Sequence, residues 1–222
     1  MPKALKHKTL YLIRHGQTEG NVNGEWLGKK SIHKLNEYGK KQSRYTAKFL
    51  KEKGVDASKI FSSSTPRALE HAEILQKRLG LPIDKIHSLS EIDLGILEDR
   101  TQKEGLKLVP HEVLDWENNL QKFNPPLGES ALEAGERFYE IVELITKNYF
   151  KPDIIIVTHG VVLKLFLARL AKESIETGET KIQVPWTNHG SITIVKYDSQ
   201  SFKLVEVFEN KFPDSDEVAS FG

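Results

Sequence analysis

Residues 9–21 read Thr9-Leu10-Tyr11-Leu12-Ile13-Arg14-His15-Gly16-Gln17-Thr18-Glu19-Gly20-Asn21. Five mostly apolar residues, of types that suit a strand buried on both faces, run into a basic pair and then a glycine. The pattern predicts a strand that ends on Arg14 and His15. Gly16 has no Cβ to obstruct a sharp turn, so both side chains can face the space beyond the strand's carboxyl end. In open α/β sheets ligands bind there.

A strand ending in a histidine is by itself more often structural than functional, but the arrangement recurs. Asp153–Thr158, with Ile154, Ile155, Ile156 and Val157 at its centre, predicts a second buried strand that runs into His159-Gly160 and then a helix. Two buried strands thereby deliver two histidines to one edge of a sheet.

Between them the chain alternates helical and strand patterns. A helix is expected over about 36–53, where Tyr38, Gln42, Tyr45 and Phe49 recur at helical spacing and Gly54 is placed to end it. A short strand at 58–61 leads to Ser62-Ser63-Ser64-Thr65-Pro66-Arg67, the sharpest helix start in the sequence. Thr65 can cap, Pro66 fits the first helical position, and Ala68, Ala72, Leu75 and Leu79 make a buried face up to Gly80 and Pro82. A third strand follows at 83–87. Ser130 and Glu133 form a capping box for a helix burying Phe138, Ile141, Val142 and Ile145. A helix from Val161 to about Ala171 and two strands, Ser191–Tyr197 and Phe202–Phe208, close the chain. The least readable part, 96–127, is expected to be a helical insertion beside the site.

Composition narrows the function classes. The 222 residues suit one domain spanning 1–210, and the acidic tail 211–222 with Pro213 is expected to be disordered. With 32 basic and 31 acidic residues, net +1 and well mixed, there is no footprint for nucleic acid. The absence of cysteine excludes disulfides, thiolate metal sites and a cysteine nucleophile. The lysines of Met1–Lys8 precede no apolar core, and the apolar run 154–171 is broken by His159, Gly160, Lys164 and Arg169. A cytoplasmic protein without a membrane partner is therefore expected, and a homodimer is left open.

Arg14-His15-Gly16 after a first strand, Arg67 opening a helix, Glu91 and Thr158-His159-Gly160 together resemble the histidine phosphatase superfamily, the phosphoglycerate mutase-like family. The parts occur in the family's order and span residues 9 to about 208. The resemblance implies an α/β fold, a three-layer α/β/α sandwich around a mostly parallel sheet. It makes His15 the nucleophile that becomes a phosphohistidine and Glu91 the proton donor, with Asp93 a rival two residues on. Arg14, Arg67, His159 and Asn21 would hold the phosphoryl oxygens, with Thr18 and Gly160 as weaker candidates and His189 a further pocket residue.

The chemistry fits those residue types. Clustered arginines and histidines buried without a partner would be very costly, so the cluster needs an anion. An arginine in a helix's first turn also opposes the helix dipole, which a bound phosphate offsets. A neutral imidazole attacks phosphorus, and covalent catalysis splits one hard displacement into two easier ones. A carboxyl close to a phosphate's negative charge keeps its proton to higher pH, so Glu91 could protonate the leaving alkoxide.

Two histidines and a carboxylate also match a non-haem iron triad, but Arg14 beside His15 would repel a cation and no His-Glu-x-x-His spacing exists. No metal and no cofactor is expected. The expected substrate is a small-molecule phosphate ester, and the expected activity is a phosphomonoester phosphatase. A cofactor-dependent phosphoglycerate mutase is the alternative, although its Arg-His-Tyr-Gly run is absent where this chain has Ile92-Asp93-Leu94-Gly95. An inactive phospho-ligand binding module would lack the nucleophile or an arginine, and neither is missing. His7, His33, His71, His87 and His111 are expected on surfaces or helix faces.

Overall fold

The structure, a computed structural model, describes residues 7–176 and 186–208. In chain order its elements are β1 (Lys8–Arg14), α1 (Glu19–Val22), β2 (Glu25–Trp26), α2 (Glu37–Glu52), β3 (Ile60–Ser62), α3 (Pro66–Leu79), β4 (Ile83–Lys85), β5 (Arg100–Thr101), α4 (Gln102–Leu108), α5 (Pro110–Asn118), α6 (Ala131–Asn148), β6 (Asp153–Thr158), α7 (Gly160–Glu176), β7 (Ile192–Tyr197) and β8 (Phe202–Phe208). The tail expected to be disordered lies outside the described residues.

A six-stranded sheet in the order β4-β3-β6-β1-β7-β8 forms the centre. β4, β3, β6 and β1 are parallel, and β7 joins β1 antiparallel, as β8 does β7. Apolar side chains alternate across the sheet and build two cores. Leu10, Leu12, Ile154 and Ile156 pack with Phe138, Val142, Val162 and Phe166 of α6 and α7. Tyr11, Ile13, Ile155 and Val157 pack with Leu50, Ala68, Ala72 and Leu75 of α2 and α3. Covering both faces is why β1 and β6 read as unbroken apolar runs rather than as alternating strands. The result is the three-layer, mostly parallel fold expected.

Most predicted boundaries hold, with three physical corrections. α2 buries Gln42, Ser43, Thr46, Ala47 and Leu50 along with Phe49, while Tyr38 is exposed, because polar residues of this helix pack under the β1–α1 loop. Thr65 occupies the cap position of α3 but makes no capping hydrogen bond; its hydroxyl is used elsewhere. Gly16 is needed for proximity, since a Cβ there would lie 2.4 Å from the Gly39 carbonyl oxygen of α2. The stretch expected to be a helical insertion contains two short helices, α4 and α5, next to the small β2–β5 ladder, which pairs Trp26 with Arg100.

Candidate active site

The parallel register pairs Arg14 with Thr158, and the His15 amide donates to the Thr158 carbonyl at 3.0 Å. This sets the His15 and His159 rings edge to face, with centroids 5.1 Å apart. On the other side of β6, the Ser63 amide at the end of β3 donates to the Val157 carbonyl at 2.9 Å. The turn that follows starts α3 and sends Arg67, wholly buried, back toward His15.

The tautomer of His15 follows from its neighbours. Arg67 Nε–H donates to His15 Nε2 at 3.1 Å, and a guanidinium cannot accept, so Nε2 carries a lone pair. The ring proton is then on Nδ1, which donates to the Gly16 carbonyl at 2.8 Å. Burial, helped by Arg67, His159, His189 and Arg14, pushes the His15 pKa well below the usual imidazole value. The imidazole is neutral near neutral pH, with its free electron pair on Nε2.

Arg67 Nη2 donates to the carbonyls of Leu27 and Gly28 at 2.8 and 2.9 Å. Arg14 Nη1 donates to the Thr187 carbonyl and Nη2 to His189 Nε2 at 2.8 Å. Burial lowers both guanidinium pKa values to about 10, the Glu91 carboxylate opposing it, so both stay charged at pH 7. Gly160 lets Arg14 in: a Cβ there would sit 2.9 Å from the guanidinium carbon. His159 Nε2 lies 2.8 Å from the Ser63 hydroxyl and 3.1 Å from that of Thr65, which explains the missing cap on α3. Burial, then Arg67 and Arg14, depress its pKa as well.

Three polar atoms of this cluster, Arg14 Nε, Arg67 Nη1 and His159 Nδ1, are buried with no partner among the described residues. Two belong to cations, so the cluster matches an anion with several acceptor oxygens. Among the described residues no set of three His, Cys, Asp or Glu side chains is arranged to hold a metal ion, nor is any helix long and apolar enough to cross a membrane.

Glu91 is almost fully buried, and its carboxylate accepts the amides of Ile92 at 3.0 Å, Val161 at 2.9 Å and Val162 at 3.1 Å. It is thereby fixed against the start of α7. Its rival Asp93 instead caps Gly95 and pairs with Lys30. Asn21 lines the same cavity as His15 and Glu91. Its Oδ1 accepts from the Thr18 amide and hydroxyl, which leaves the amide nitrogen as the donor end. Thr18 itself is spent on that capping box and is not among the residues that line the cavity. His189 is likewise not among the lining residues and instead bonds Arg14.

The cavity, about 150 Å³, also contains groups that sequence reasoning did not assign: Trp26, Leu27 and Trp186, with Trp116 from the insertion. Two further supports were missed. His71, expected on a surface or a helix face, lies on α3 fully buried, and its Nδ1 accepts the Gly16 amide at 3.0 Å. Arg137 of α6 forks onto Glu129 and donates to the carbonyls of Ser88, Ser90 and Glu91. The buried polar spacing of Arg67 and His71, four apart on an otherwise apolar face, was a readable signal for the first; nothing local signals the second.

Comparison with known proteins fits this geometry. The chain is 26% identical over 167 residues to 6-phosphofructo-2-kinase/fructose-2,6-bisphosphatase 1 of Rattus norvegicus, covering 75% of this chain and 33% of that protein. It thus spans about a third of the length of the curated relatives it matches. YhfR of Bacillus stearothermophilus superposes with a TM-score of 0.76 at 29% identity, over 89% of this chain and 95% of that one. A mycobacterial glucosyl-3-phosphoglycerate phosphatase shares the fold, with a TM-score of 0.77 at 24% identity, over 91% and 98% of the two chains. The profile of the histidine phosphatase superfamily (branch 1) matches residues 10–210, which include both strand-end histidines and both arginines. On that match, and with the same fold built around them, the chain belongs to the histidine phosphatase superfamily, branch 1.

Proposed function

We infer that the protein is a phosphomonoester phosphatase that acts on a small-molecule phosphate ester through a phosphohistidine at His15, with no metal required. The observation that carries this reading is the set of unpartnered buried donors around a neutral histidine whose lone pair is on Nε2. Arg14 and Arg67 bind the phosphoryl oxygens, with His159 and the Asn21 amide beside them. His15 Nε2 forms a bond to phosphorus as the ester P–O bond breaks. The departing oxygen takes the proton of Glu91. A water then attacks the phosphohistidine and gives its proton to the Glu91 carboxylate, and His15 leaves as a neutral imidazole with phosphate released.

The apolar side chains of Ile92 and Leu94 in the cavity favour hydrolysis over mutase chemistry, which needs polar partners to hold a phosphoglycerate for the return transfer. Turnover of para-nitrophenyl phosphate in the presence of EDTA, lost in His15→Ala, and an acid-labile phosphoenzyme trapped with Glu91→Gln are the expected results. Interconversion of phosphoglycerates that requires bisphosphoglycerate priming would establish the mutase instead. Phosphate binding without turnover of any ester would establish a binding module.

A further inference from the structure

All three tryptophans of the chain, at positions 26, 116 and 186, line the cavity that contains His15. They come from β2, from α5 and from the segment before β7, so three separate parts of the chain converge to place them. Trp26 and Trp116 are stacked, with centroids 4.8 Å apart and ring planes 22° apart. Trp186 continues the surface 6.4 Å from Trp116 at 32°. The edge of Trp116 is held by Phe123, and the Lys164 ammonium sits 3.9 Å from the Trp186 ring centroid. Trp186 stays 46% exposed. Trp26 and Trp116 also pack against the first core, but packing does not account for the half-exposed Trp186, and an apolar surface kept at a pocket is the signature of a ligand contact.

The side-chain acceptors beside this surface are already engaged. Asn21 Oδ1 is held by Thr18, Glu25 by Asn23 and His33, and Glu91 by three backbone amides. A polyhydroxylated alcohol would therefore lose hydrogen bonds to water that the wall does not replace. Arg14, the only lysine or arginine lining the cavity, and Arg67 behind it are assigned to the phosphoryl group, Lys164 is taken up by the Trp186 ring, and the carboxylates of Glu25 and Glu91 face any second anion.

Resting on the phosphatase reading above, we propose that the site selects esters whose leaving alcohol carries a planar aromatic ring system and no second negative charge. The phosphoryl group occupies the Arg14–Arg67–His159 cradle, and the ring packs on the parts of Trp26, Trp116 and Trp186 that line the cavity. Stacking is sequence-tolerant chemistry, so the wall fixes the class of alcohol rather than one alcohol.

The test compares primary alkyl esters of similar leaving-group basicity: 2-(naphthalen-2-yl)ethyl phosphate, propyl phosphate and 3-phosphoglycerate. The kcat/KM for the naphthyl ester is expected to exceed that for propyl phosphate by about tenfold or more, the size of one or two ring contacts, with 3-phosphoglycerate lowest. Trp186→Ala, a half-exposed position, and Trp116→Ala should each collapse the naphthyl-to-propyl ratio several-fold. A ratio near one in the native protein, a preference for 3-phosphoglycerate, or a ratio unchanged in both variants would overturn the proposal. Calorimetric binding of the matching phosphonates, which cannot be hydrolysed, reads the same preference without turnover. Tighter binding of the naphthyl phosphonate with no ester hydrolysed would remove the phosphatase reading and leave the aromatic selectivity standing.

Discussion

Arg67 donates its Nε–H to His15 Nε2 at 3.1 Å, so the guanidinium that should hold the phosphoryl group also occupies the lone pair that should attack it. A bound phosphoryl group resolves the conflict: its oxygens draw the arginine's donors away and leave Nε2 facing phosphorus. Two other anchors, the carbonyls of Leu27 and Gly28, keep the guanidinium in place while that exchange occurs. Arg67→Lys retains the charge but not the fork, and a lysine's point donor cannot serve those carbonyls and the phosphoryl group together. The expected loss in kcat/KM is about 100- to 1,000-fold, the usual size for removal of one preorganised oxyanion donor. Steady-state kinetics with para-nitrophenyl phosphate checks it, and a loss below tenfold would rule out Arg67 as a phosphoryl ligand.

His71 acts on the nucleophile at one remove. Its Nδ1 accepts the Gly16 amide, and the Gly16 carbonyl accepts the His15 Nδ1–H, so one peptide unit's neighbours set the imidazole's orientation. His71→Phe leaves the buried Gly16 amide without an acceptor, which should cost about 1–3 kcal/mol of stability and lower kcat more than it raises KM. In His71→Asn the side-chain oxygen can reach the position of Nδ1, and most of kcat should return. Equal loss in both variants would show that only the volume of the ring matters.

Three buried histidines and the half-buried His189 make the free protein sensitive to acid. Burial depresses His71 and His189 to about 3, and His15 and His159 also lie well below the usual value. Their pKa values are lower in the folded chain than in the unfolded one, so below about pH 6.5 the unfolded chain binds more protons. Their contribution is therefore complete above that pH and is lost as pH falls toward 3, by about 1.4 kcal/mol per pH unit for each histidine that must stay neutral. Chemical denaturation between pH 7.5 and 5 should show this slope. His71→Asn should reduce it by about one proton's worth, and a slope that does not change would mean that His71 titrates normally.

The legible parts of this site are those whose position is written in a local pattern. Arg14, His15 and His159 could be placed because an apolar run ends on each pair, and Arg67 because Thr65-Pro66 fixes where α3 begins. What those patterns could not carry was the identity of the partners. Thr65 reads as a cap, yet its hydroxyl serves His159, since a side chain near two elements can bond to either. Thr18 reads as a phosphoryl ligand and His189 as a pocket residue, whereas in the fold the one caps α1 and the other holds Arg14. The convergence of Trp26, Trp116 and Trp186 depends on the β2–β5 ladder, two residues a side, which is too short to leave a periodic signal.

The Gly128-Glu129-Ser130 turn has a second use beyond capping α6, and it bears on the proton donor. Ser130 caps the helix through its box with Glu133, while Glu129 takes a two-pronged hydrogen bond from Arg137, both contacts 2.7 Å. The remaining donors of Arg137 reach the carbonyls of Ser88 at 2.8 Å, Ser90 at 3.0 Å and Glu91 at 3.3 Å. The Glu129 amide also donates to the Asp93 carbonyl at 2.8 Å. The backbone on both sides of Glu91 is therefore tied to α6, which makes Arg137 a positioning residue for the acid. Arg137→Lys loses the planar fork and at least two of those carbonyl contacts, for an expected stability loss of about 1–3 kcal/mol. Its kinetic effect should depend on the leaving group. An alkyl phosphate needs the proton from Glu91 and should lose about tenfold or more in kcat/KM, whereas para-nitrophenyl phosphate, whose phenolate leaves unprotonated, should lose much less. Equal losses on the two esters would make Arg137 a stability residue alone and would separate the Gly128-Glu129-Ser130 turn from the chemistry.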